Sequence, residues 1–312
     1  MITQSYTYPS SDGKNSIYTT WFLPDDAKVR AVVQIAHGMT EYIGRYEALA
    51  QTLTDAGFAV CGNDHLGHGK SASCPEDLGF FGEKDGLGFI LDDLHAMTCM
   101  TKRRFPDVPF FLLGHSMGSF LCRLYATRFG YELDGLVILG TGGPNPLLGL
   151  GKFLAKMIAF FKGPRHRSKM LVKLSFMGYN SRYGKGVDKR SWLTRDESVY
   201  PVYAKDSFCN YIFTVSAYKE LFRMLGECNS KEWFTSFPKD MPTYIASGAQ
   251  DPVGDFGEGP AYVAETLKEN GVKDVTLHLY EGARHELHHE TNYDEFASEL
   301  LAWLKDRAGL CD

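Results

Sequence analysis

The sequence predicts an α/β fold: a mostly parallel sheet flanked by helices and interrupted by a largely helical insertion. Short apolar strands alternate with helix-like segments over residues 1–140 and again over 236–312, a pattern typical of βαβ units. Residues 141–235 contain helical stretches but no convincing apolar strand. With 312 residues and 44% apolar composition, the chain can form one large core with an insertion.

The predicted elements follow the hydrophobic periodicity and end at glycines or polar turns. In chain order, residues 1–140 give strand Ser5–Tyr8, strand Ser16–Phe22, strand Arg30–Ala36, helix Tyr46–Ala56, strand Phe58–Cys61, helix Leu87–Arg104, strand Pro109–Leu113, helix Met117–Phe129 and strand Leu136–Leu139. Residues 236–312 give strand Pro242–Ser247, helix Gly259–Asn270, strand Val275–Tyr280 and helix Tyr293–Asp306. We therefore expect residues 1–140 and 236–312 to form one core, and residues 141–235 to form a cap over its mouth.

A G-x-S-x-G motif lies between a predicted strand and a predicted helix. It reads Gly114-His115-Ser116-Met117-Gly118. A serine on such a sharp strand-to-helix turn has a strained backbone and an exposed hydroxyl, and the flanking glycines let strand and helix approach each other. The motif in this context predicts that Ser116 is a catalytic nucleophile.

A serine nucleophile needs a base and an acid, which in this architecture follow it in the order Ser, Asp or Glu, His. Asp251 follows the predicted strand Pro242–Ser247, and His285 follows the last predicted strand. Both therefore lie at carboxyl ends of strands, where ligand chemistry gathers in open parallel sheets. We expect His285 to be the general base and Asp251 to orient it. Asp255 is the nearest alternative acid.

The string His285-Glu286-Leu287-His288-His289 also spells H-E-x-x-H, a zinc motif when it lies on a helix. Here it begins directly after a strand, and no third ligand is evident. We therefore expect no metal and no cofactor. His288 and His289 are expected to be solvated at the start of the next helix.

An oxyanion hole is expected where the strand Arg30–Ala36 ends in His37-Gly38-Met39. Its donors would be the backbone amides of Met39 and Met117. Histidines near these segments are then predicted to be structural rather than catalytic: His37, His115, His65 and His68.

Five stretches of the core resemble the monoacylglycerol lipase and lysophospholipase group, which is also classed with the serine aminopeptidase-like hydrolases. They are HGMTEYIGRYEALAQTL, NDHLGHGKS, FFLLGHSMGS, ASGAQDPVG and YEGARHELHHE. The resemblance implies an α/β-hydrolase fold and hydrolysis of acyl esters, with Ser116, Asp251 and His285 as the triad and Met39 and Met117 as oxyanion donors. One departure is Gly118-Ser119, where relatives often carry two glycines. The resemblance is weak across residues 141–235.

The cap combines an amphipathic helix pattern with strong positive charge. Between Lys152 and Arg190, eleven Lys and Arg stand against the single acid Asp188, a net charge of +10 in a chain whose total is −5. An apolar stripe at helical spacing has two interpretations: it packs on the core, or it lines a tunnel for an acyl chain. On the second interpretation, the substrate contacts are Leu150, Leu154, Met157, Ile158 and Phe161. Basic residues interleaved with aromatic ones also suit contact with an anionic membrane surface.

Composition excludes several other classes of protein. Seven cysteines, an odd number with no C-x-x-C pair, argue against a disulfide framework or a zinc knuckle: Cys61, Cys74, Cys99, Cys122, Cys209, Cys228 and Cys311. A pI near 6.1 gives no reason to expect a nucleic-acid partner. The polar start of the chain lacks a signal-peptide pattern, and no apolar run is long enough to span a bilayer, so we expect a cytoplasmic protein.

The sequence thus predicts a cofactor-independent serine hydrolase acting on small-molecule or lipid esters, and the resemblance implies monoacylglycerol- or lysophospholipid-like ones. An aminopeptidase or amidase, or an acyltransferase, is an alternative on the same triad, and a non-catalytic binding module is an alternative on the same fold. The carboxylate-poor cap argues against an aminopeptidase, which needs an acidic anchor for the substrate amine. Acyl chain length, the alcohol and the oligomeric state are not encoded in any recognisable pattern.

Overall fold

The computed structural model describes residues 1–25 and 28–310; Cys311 lies outside the described residues. Eight strands form one sheet: β1 Ile2–Pro9, β2 Ser16–Leu23, β3 Ala31–Ala36, β4 Phe58–Asn63, β5 Phe110–His115, β6 Gly135–Leu139, β7 Thr243–Gly248 and β8 Val275–Tyr280. Ten α-helices accompany them in the described residues: α1 Glu47–Asp55, α2 Gly86–Arg104, α3 Met117–Phe129, α4 Leu148–Lys162, α5 Lys169–Ser175, α6 Val199–Lys205, α7 Val215–Glu227, α8 Lys231–Ser236, α9 Glu258–Glu269 and α10 Tyr293–Arg307.

The sheet has the order β1-β2-β4-β3-β5-β6-β7-β8. β1 pairs antiparallel with β2, and β2 pairs antiparallel with β4; every later pair is parallel. A mostly parallel sheet flanked by helices confirms the predicted fold class. Because its parallel strands point the same way, their carboxyl ends, and the loops that follow them, meet at one edge.

Buried strands alternate their side chains between two separate apolar cores, one on each face of the sheet. In β5, Phe110 and Leu112 pack into the core that contains α2 and α3, whereas Phe111 and Leu113 face the core formed with α1 and α10. This two-residue alternation is what a strand covered on both faces requires. Burial on both faces holds each strand in place in the sheet, and this sets where the loop after the strand begins.

The segment between β6 and β7 runs through α4, α5, α6, α7 and α8 and contains no strand, all of it in the described part of the chain. We keep the name cap for residues 141–235. α4 packs against α7, and a Cβ added at Gly151 would lie 3.2 Å from the ring of Phe222. Gly151 therefore allows the two cap helices to pack closely.

Candidate active site

Ser116 occupies the sharp turn between β5 and α3. Its backbone has φ 54° and ψ −118°, a left-handed conformation that costs a non-glycine residue on the order of 1–3 kcal/mol. The Ser116 amide donates to the carbonyl oxygen of Leu139 in the neighbouring strand β6 (2.9 Å). The turn is thus tied to the sheet while the side chain faces the cavity described below.

The two glycines of the motif are required by close backbone approach. A Cβ on Gly118 would collide with the carbonyl oxygen of Ala36 at the end of β3. A Cβ on Gly114 would collide with the carbonyl oxygen of Gly118. These contacts explain the G-x-S-x-G spacing physically, since only glycine lets β3, β5 and α3 meet at the serine.

Asp251 and His285 lie together beside the same cavity. Nδ1 of His285 is 2.9 Å from Oδ2 of Asp251, and both side chains are buried. A carboxylate only accepts hydrogen bonds, so Nδ1 carries the proton and Nε2 presents its lone pair. Asp251 is held in turn by the hydroxyl of Ser247 (3.1 Å) and the amide of Val253 (2.8 Å). These bonds fix both the imidazole tautomer and the ring orientation.

Asp255, the alternative acid, lies elsewhere in the site. Its side chain is exposed at the rim of the cavity, and the partner of His285 is Asp251. A glycine also serves the Asp251–His285 pair: a Cβ on Gly248 would collide with the carbonyl oxygens of Ala283 and Arg284. The end of β7 therefore lies directly against the loop that carries His285.

The two amides expected to form an oxyanion hole flank this site. Met39 and Met117 both line the cavity, and Met117 begins α3, where helical amides have no partner in the preceding turn. The hydrogen bonds found among the described residues use neither amide. Glu41 holds the loop by accepting the Gly38 amide on Oε1 (2.6 Å).

A buried charged network lies beneath the site. Oε1 of Glu41 accepts from Nδ1 of His115 (2.8 Å), and Nε2 of His115 donates to the carbonyl oxygen of His285 (3.2 Å). Both ring nitrogens of His115 face acceptors, an arrangement that favours the protonated ring. Burial lowers the pKa of His115, but Glu41 more than offsets this and the net pKa is raised. Arg45 joins the network through two bonds to Glu286, at 2.7 and 2.8 Å.

Three further histidines are buried at or near the loop His37-Gly38-Met39. The rings of His37 and His65 are 4.1 Å apart, and those of His37 and His68 are 5.1 Å apart. Burial lowers the pKa of His65 to about 4 and of His68 to about 3, so both are neutral near pH 7. His37 accepts the His65 amide on Nε2 (2.9 Å). This packing agrees with a structural role.

The H-E-x-x-H string does not lie on an α-helix. Leu287–His289 form a single 3₁₀ turn, and Glu286 is bound by Arg45. The expectation that His288 is solvated is wrong: its ring is buried and stacks on Tyr46 with centroids 4.5 Å apart. Glu286 and Leu287, which directly precede His288, are buried as well, so this loop packs against the core. His289 is partly buried and contacts Glu286 at 3.0 Å.

A cavity of about 630 Å³ opens above Ser116 and His285. The cap contributes most of its apolar wall, through Pro144, Leu147, Leu174, Phe176, Met177, Tyr179, Trp192, Leu221, Phe222 and Leu225. Trp192 packs 5.1 Å from the His285 ring, and its carbonyl oxygen accepts the His285 amide (3.4 Å). The sequence gives no sign of this contact between Trp192 and His285, because Trp192 lies in an irregular loop that has no hydrophobic periodicity.

The cap stripe assigned to substrate binding needs correction. Leu150, Leu154, Met157, Ile158 and Phe161 do not line the cavity. Leu150, Met157 and Phe161 are exposed, whereas Leu154 and Ile158 pack on the core. The buried face of α4 centres on Gly151 and Ala155, which are small enough for close contact with α7. A hydrophobic pattern that counts only large side chains therefore indicates a face of α4 that is rotated relative to the face that is buried.

Comparisons with known proteins agree with this architecture. The family model described as serine aminopeptidase, S33 matches residues 27–292. Monoglyceride lipase of Mus musculus is 28% identical over 292 residues, which cover 89% of this chain and 83% of the relative. A carboxyl esterase from Bacillus coagulans, solved in complex with glycerol, superposes with a TM-score of 0.92 at 28% identity and covers 99% of both chains.

A more distant structure shares the fold alone. A soluble variant of monoglyceride lipase from Saccharomyces cerevisiae, solved with a substrate analog, superposes with a TM-score of 0.77 at 20% identity. It covers 98% of this chain and 95% of its own. The family match spans the core on both sides of the cap, and with it the serine turn and the Asp251–His285 pair. The chain is an α/β-hydrolase that belongs to the serine aminopeptidase S33 family.

Proposed function

We propose that this protein is a carboxylic ester hydrolase that works through an acyl-enzyme on Ser116. The observation that carries the proposal is the Asp251–His285 pair at 2.9 Å, beside a strained serine turn that faces the same cavity. His285 accepts the Ser116 proton on Nε2, and Asp251 stabilises the imidazolium that forms. The amides of Met39 and Met117 stabilise the oxyanion.

The reaction divides into two half-reactions. Oγ of Ser116 attacks the ester carbonyl while its proton passes to His285, and the alcohol leaves with that proton as the C–O bond breaks. Water then enters, gives a proton to His285 and adds to the acyl carbon, and the acid is released as Ser116 regains its proton. An acyltransferase would differ only in the second step, where an alcohol replaces water.

The proposed substrates are monoacylglycerol- or lysophospholipid-like esters with one acyl chain. The relatives named above are a monoglyceride lipase and a carboxyl esterase. The apolar cap wall around the cavity suits an acyl chain, because each buried methylene contributes about 0.8 kcal/mol. kcat/KM should therefore rise steeply with chain length until the cavity is full.

A rate series with p-nitrophenyl esters and monoacylglycerols of increasing chain length tests this proposal. Wild-type protein should hydrolyse them, and Ser116→Ala should lose hydrolysis while keeping its circular dichroism spectrum. Leu221→Trp places a larger side chain in the apolar wall and narrows the cavity, so it should lower the optimal acyl chain length. Leu150→Trp, on the exposed face of α4, is the matched control and should leave the optimal chain length unchanged. Equal rates at every chain length would contradict a lipid-like substrate.

An aminopeptidase activity is the second candidate, and one observation favours it. Asp255 and Glu258 of the core, rather than the cap, place exposed carboxylates at the cavity. A carboxylate there can pair with a substrate amine. The test is hydrolysis of aminoacyl p-nitroanilides. If wild-type protein hydrolyses them and both Ser116→Ala and Asp255→Asn lose this activity, the protein is an aminopeptidase rather than an ester hydrolase.

We also propose that the cap contacts anionic membrane surfaces. Phe160 and Phe161 are 80% and 73% exposed, beside Lys156 and Lys162 on the same helix. Exposed aromatic side chains insert at the lipid boundary, and each nearby Lys contributes about 1 kcal/mol at an anionic surface.

Vesicle co-sedimentation at low and high salt, with neutral and with anionic lipid, tests the membrane proposal. Binding should be strongest with anionic lipid at low salt, because salt screens the charges. Phe160→Ser should weaken it, whereas Tyr131→Ser, which removes an aromatic ring that is 81% exposed on the core, should not. Equal, weak binding in all four conditions would leave the cap as a lid for small esters.

A further inference from the structure

His95, Cys99 and Glu132 form a cluster of metal-ligating atoms away from the candidate active site. His95 and Cys99 are four residues apart on α2 and therefore share one helix face. Glu132 lies in the single turn that follows α3, Gly130–Glu132. Nε2 of His95 is 3.1 Å from Oε1 of Glu132 and 3.5 Å from Sγ of Cys99, and the three ligand atoms all lie within 4.8 Å of one another.

These separations fit a tetrahedral zinc ion. Zinc binds nitrogen and oxygen at about 2.0–2.2 Å and sulfur at about 2.3 Å. At tetrahedral angles those bond lengths place nitrogen about 3.6 Å from sulfur and about 3.4 Å from oxygen. The observed 3.5 and 3.1 Å therefore need shifts of only a few tenths of an ångström. The mixture of imidazole, thiolate and carboxylate is one that zinc accepts.

Neighbouring residues hold the His95 ring in place and leave the Glu132 carboxylate without a hydrogen bond from Lys102. The His95 ring stacks on Phe129 with centroids 3.9 Å apart and an interplanar angle of 5°, which fixes the direction of Nε2. Oε2 of Glu132 is buried and has no hydrogen-bond partner among the described residues. Lys102 donates to the backbone carbonyl oxygen of Glu132 rather than to its carboxylate.

We propose that His95, Cys99 and Glu132 bind a thiophilic divalent cation such as Zn²⁺, with water as the fourth ligand. Binding releases the Cys99 thiol proton to solvent, and the His95 proton moves to Nδ1 so that Nε2 can coordinate. No oxidation or reduction occurs. The ion would join α2 to the turn after α3 and so stabilise the folded state.

The site is distinct from the proposed catalytic centre. Ser116 precedes the first residue of α3, whereas Glu132 follows its last, and 13 helical residues span about 20 Å. We therefore expect the ion to change stability without taking part in ester hydrolysis.

Cobalt titration of the full-length, EDTA-stripped protein tests the site. Wild type should bind one equivalent of Co²⁺ with a near-ultraviolet thiolate-to-cobalt charge-transfer band and the visible bands of four-coordinate cobalt, and Zn²⁺ should displace it. Cys99→Ser should lose the charge-transfer band and bind at least about tenfold more weakly. His95→Gln should weaken binding comparably. Cys74→Ser, which removes an exposed thiol beside Asp77, should behave as wild type.

Ester hydrolysis and circular dichroism serve as folding controls, and both should be unchanged in Cys99→Ser. Saturating Co²⁺ that gives wild type no charge-transfer band would overturn the proposal. So would a band that survives in Cys99→Ser. Binding that is unaffected by His95→Gln but lost in His289→Gln would also overturn it, because the ion would then lie at a different group of potential ligands, Glu286, His288 and His289.

Discussion

Individual side chains at the active site depend on partners that are distant along the chain. Asp251 meets His285 across 34 residues, and Arg45 meets Glu286 across 241. The first pair can be predicted because both residues follow strands of one parallel sheet. The second cannot, since nothing in the local pattern of either segment records its partner. The sequence therefore predicts the reacting groups, whereas the network beneath them needs the folded chain.

Replacing the orienting acid tests the assignment of Asp251. Asp251→Asn should lower kcat roughly 10⁴-fold, by analogy with serine proteases, because the amide favours the wrong His285 tautomer. Steady-state hydrolysis of a p-nitrophenyl ester measures the effect. Asp255→Asn is the matched control and should keep most of the activity. If Asp255→Asn loses activity while Asp251→Asn keeps most of it, Asp255 rather than Asp251 is the acid that orients His285.

His115 should make stability depend on pH. Its folded-state pKa is raised above the ordinary value of 6.5, so its stabilising effect is fully present below pH 6.5 and is lost as pH rises through the folded-state pKa. Denaturant unfolding of wild type and His115→Asn should differ most at low pH, and the difference should shrink as pH rises. Glu41→Gln removes the charge that raises this pKa and should abolish the trend. A difference independent of pH would show that His115 is not a folded-state cation.

Elements are predictable to different degrees. Strand β8 and helix α3 have the predicted bounds because the sequence marks where each one ends: Glu281-Gly282 follows β8, and Gly130 follows α3. Helix α4 was also expected, but its contacts were not. Periodicity shows that a helix has a buried face, yet Gly151 and Ala155 carry too little apolar surface to identify that face from sequence.

Arg123 connects the two ends of the cap to α3. Its buried guanidinium donates to Thr141 and Gly142 where the cap begins, and to Cys228 and Asn229 where it ends. None of these partners is a carboxylate, and burial lowers the Arg123 pKa. The residue therefore positions both cap ends near the helix that begins at the nucleophile.

Removing this guanidinium should destabilise the fold. Arg123→Met leaves buried acceptors without donors and should lower the free energy of unfolding by about 2–4 kcal/mol. Denaturant unfolding measures the loss. Arg128→Met on the same helix removes an exposed ion pair with Asp92 and should cost at most about 1 kcal/mol. Equal effects of the two variants would show that the cap ends do not depend on Arg123.

At the scale of the whole molecule, the cap and the loops at one edge of the sheet enclose the same cavity. The cap lies over a sheet edge where the serine turn, the loop His37-Gly38-Met39 and the loops that carry Asp251 and His285 converge. No helix in the described residues is long and apolar enough to cross a membrane.

Covalent trapping tests whether Ser116 is the nucleophile of the proposed ester hydrolysis. Wild-type protein is treated with a fluorophosphonate probe, and the modified peptide is mapped by mass spectrometry while ester hydrolysis is followed in parallel. The account predicts one equivalent of label on Ser116, loss of hydrolysis in step with labelling, and no label in Ser116→Ala. Hydrolysis that persists when Ser116 is fully labelled, or that survives in Ser116→Ala, would contradict it.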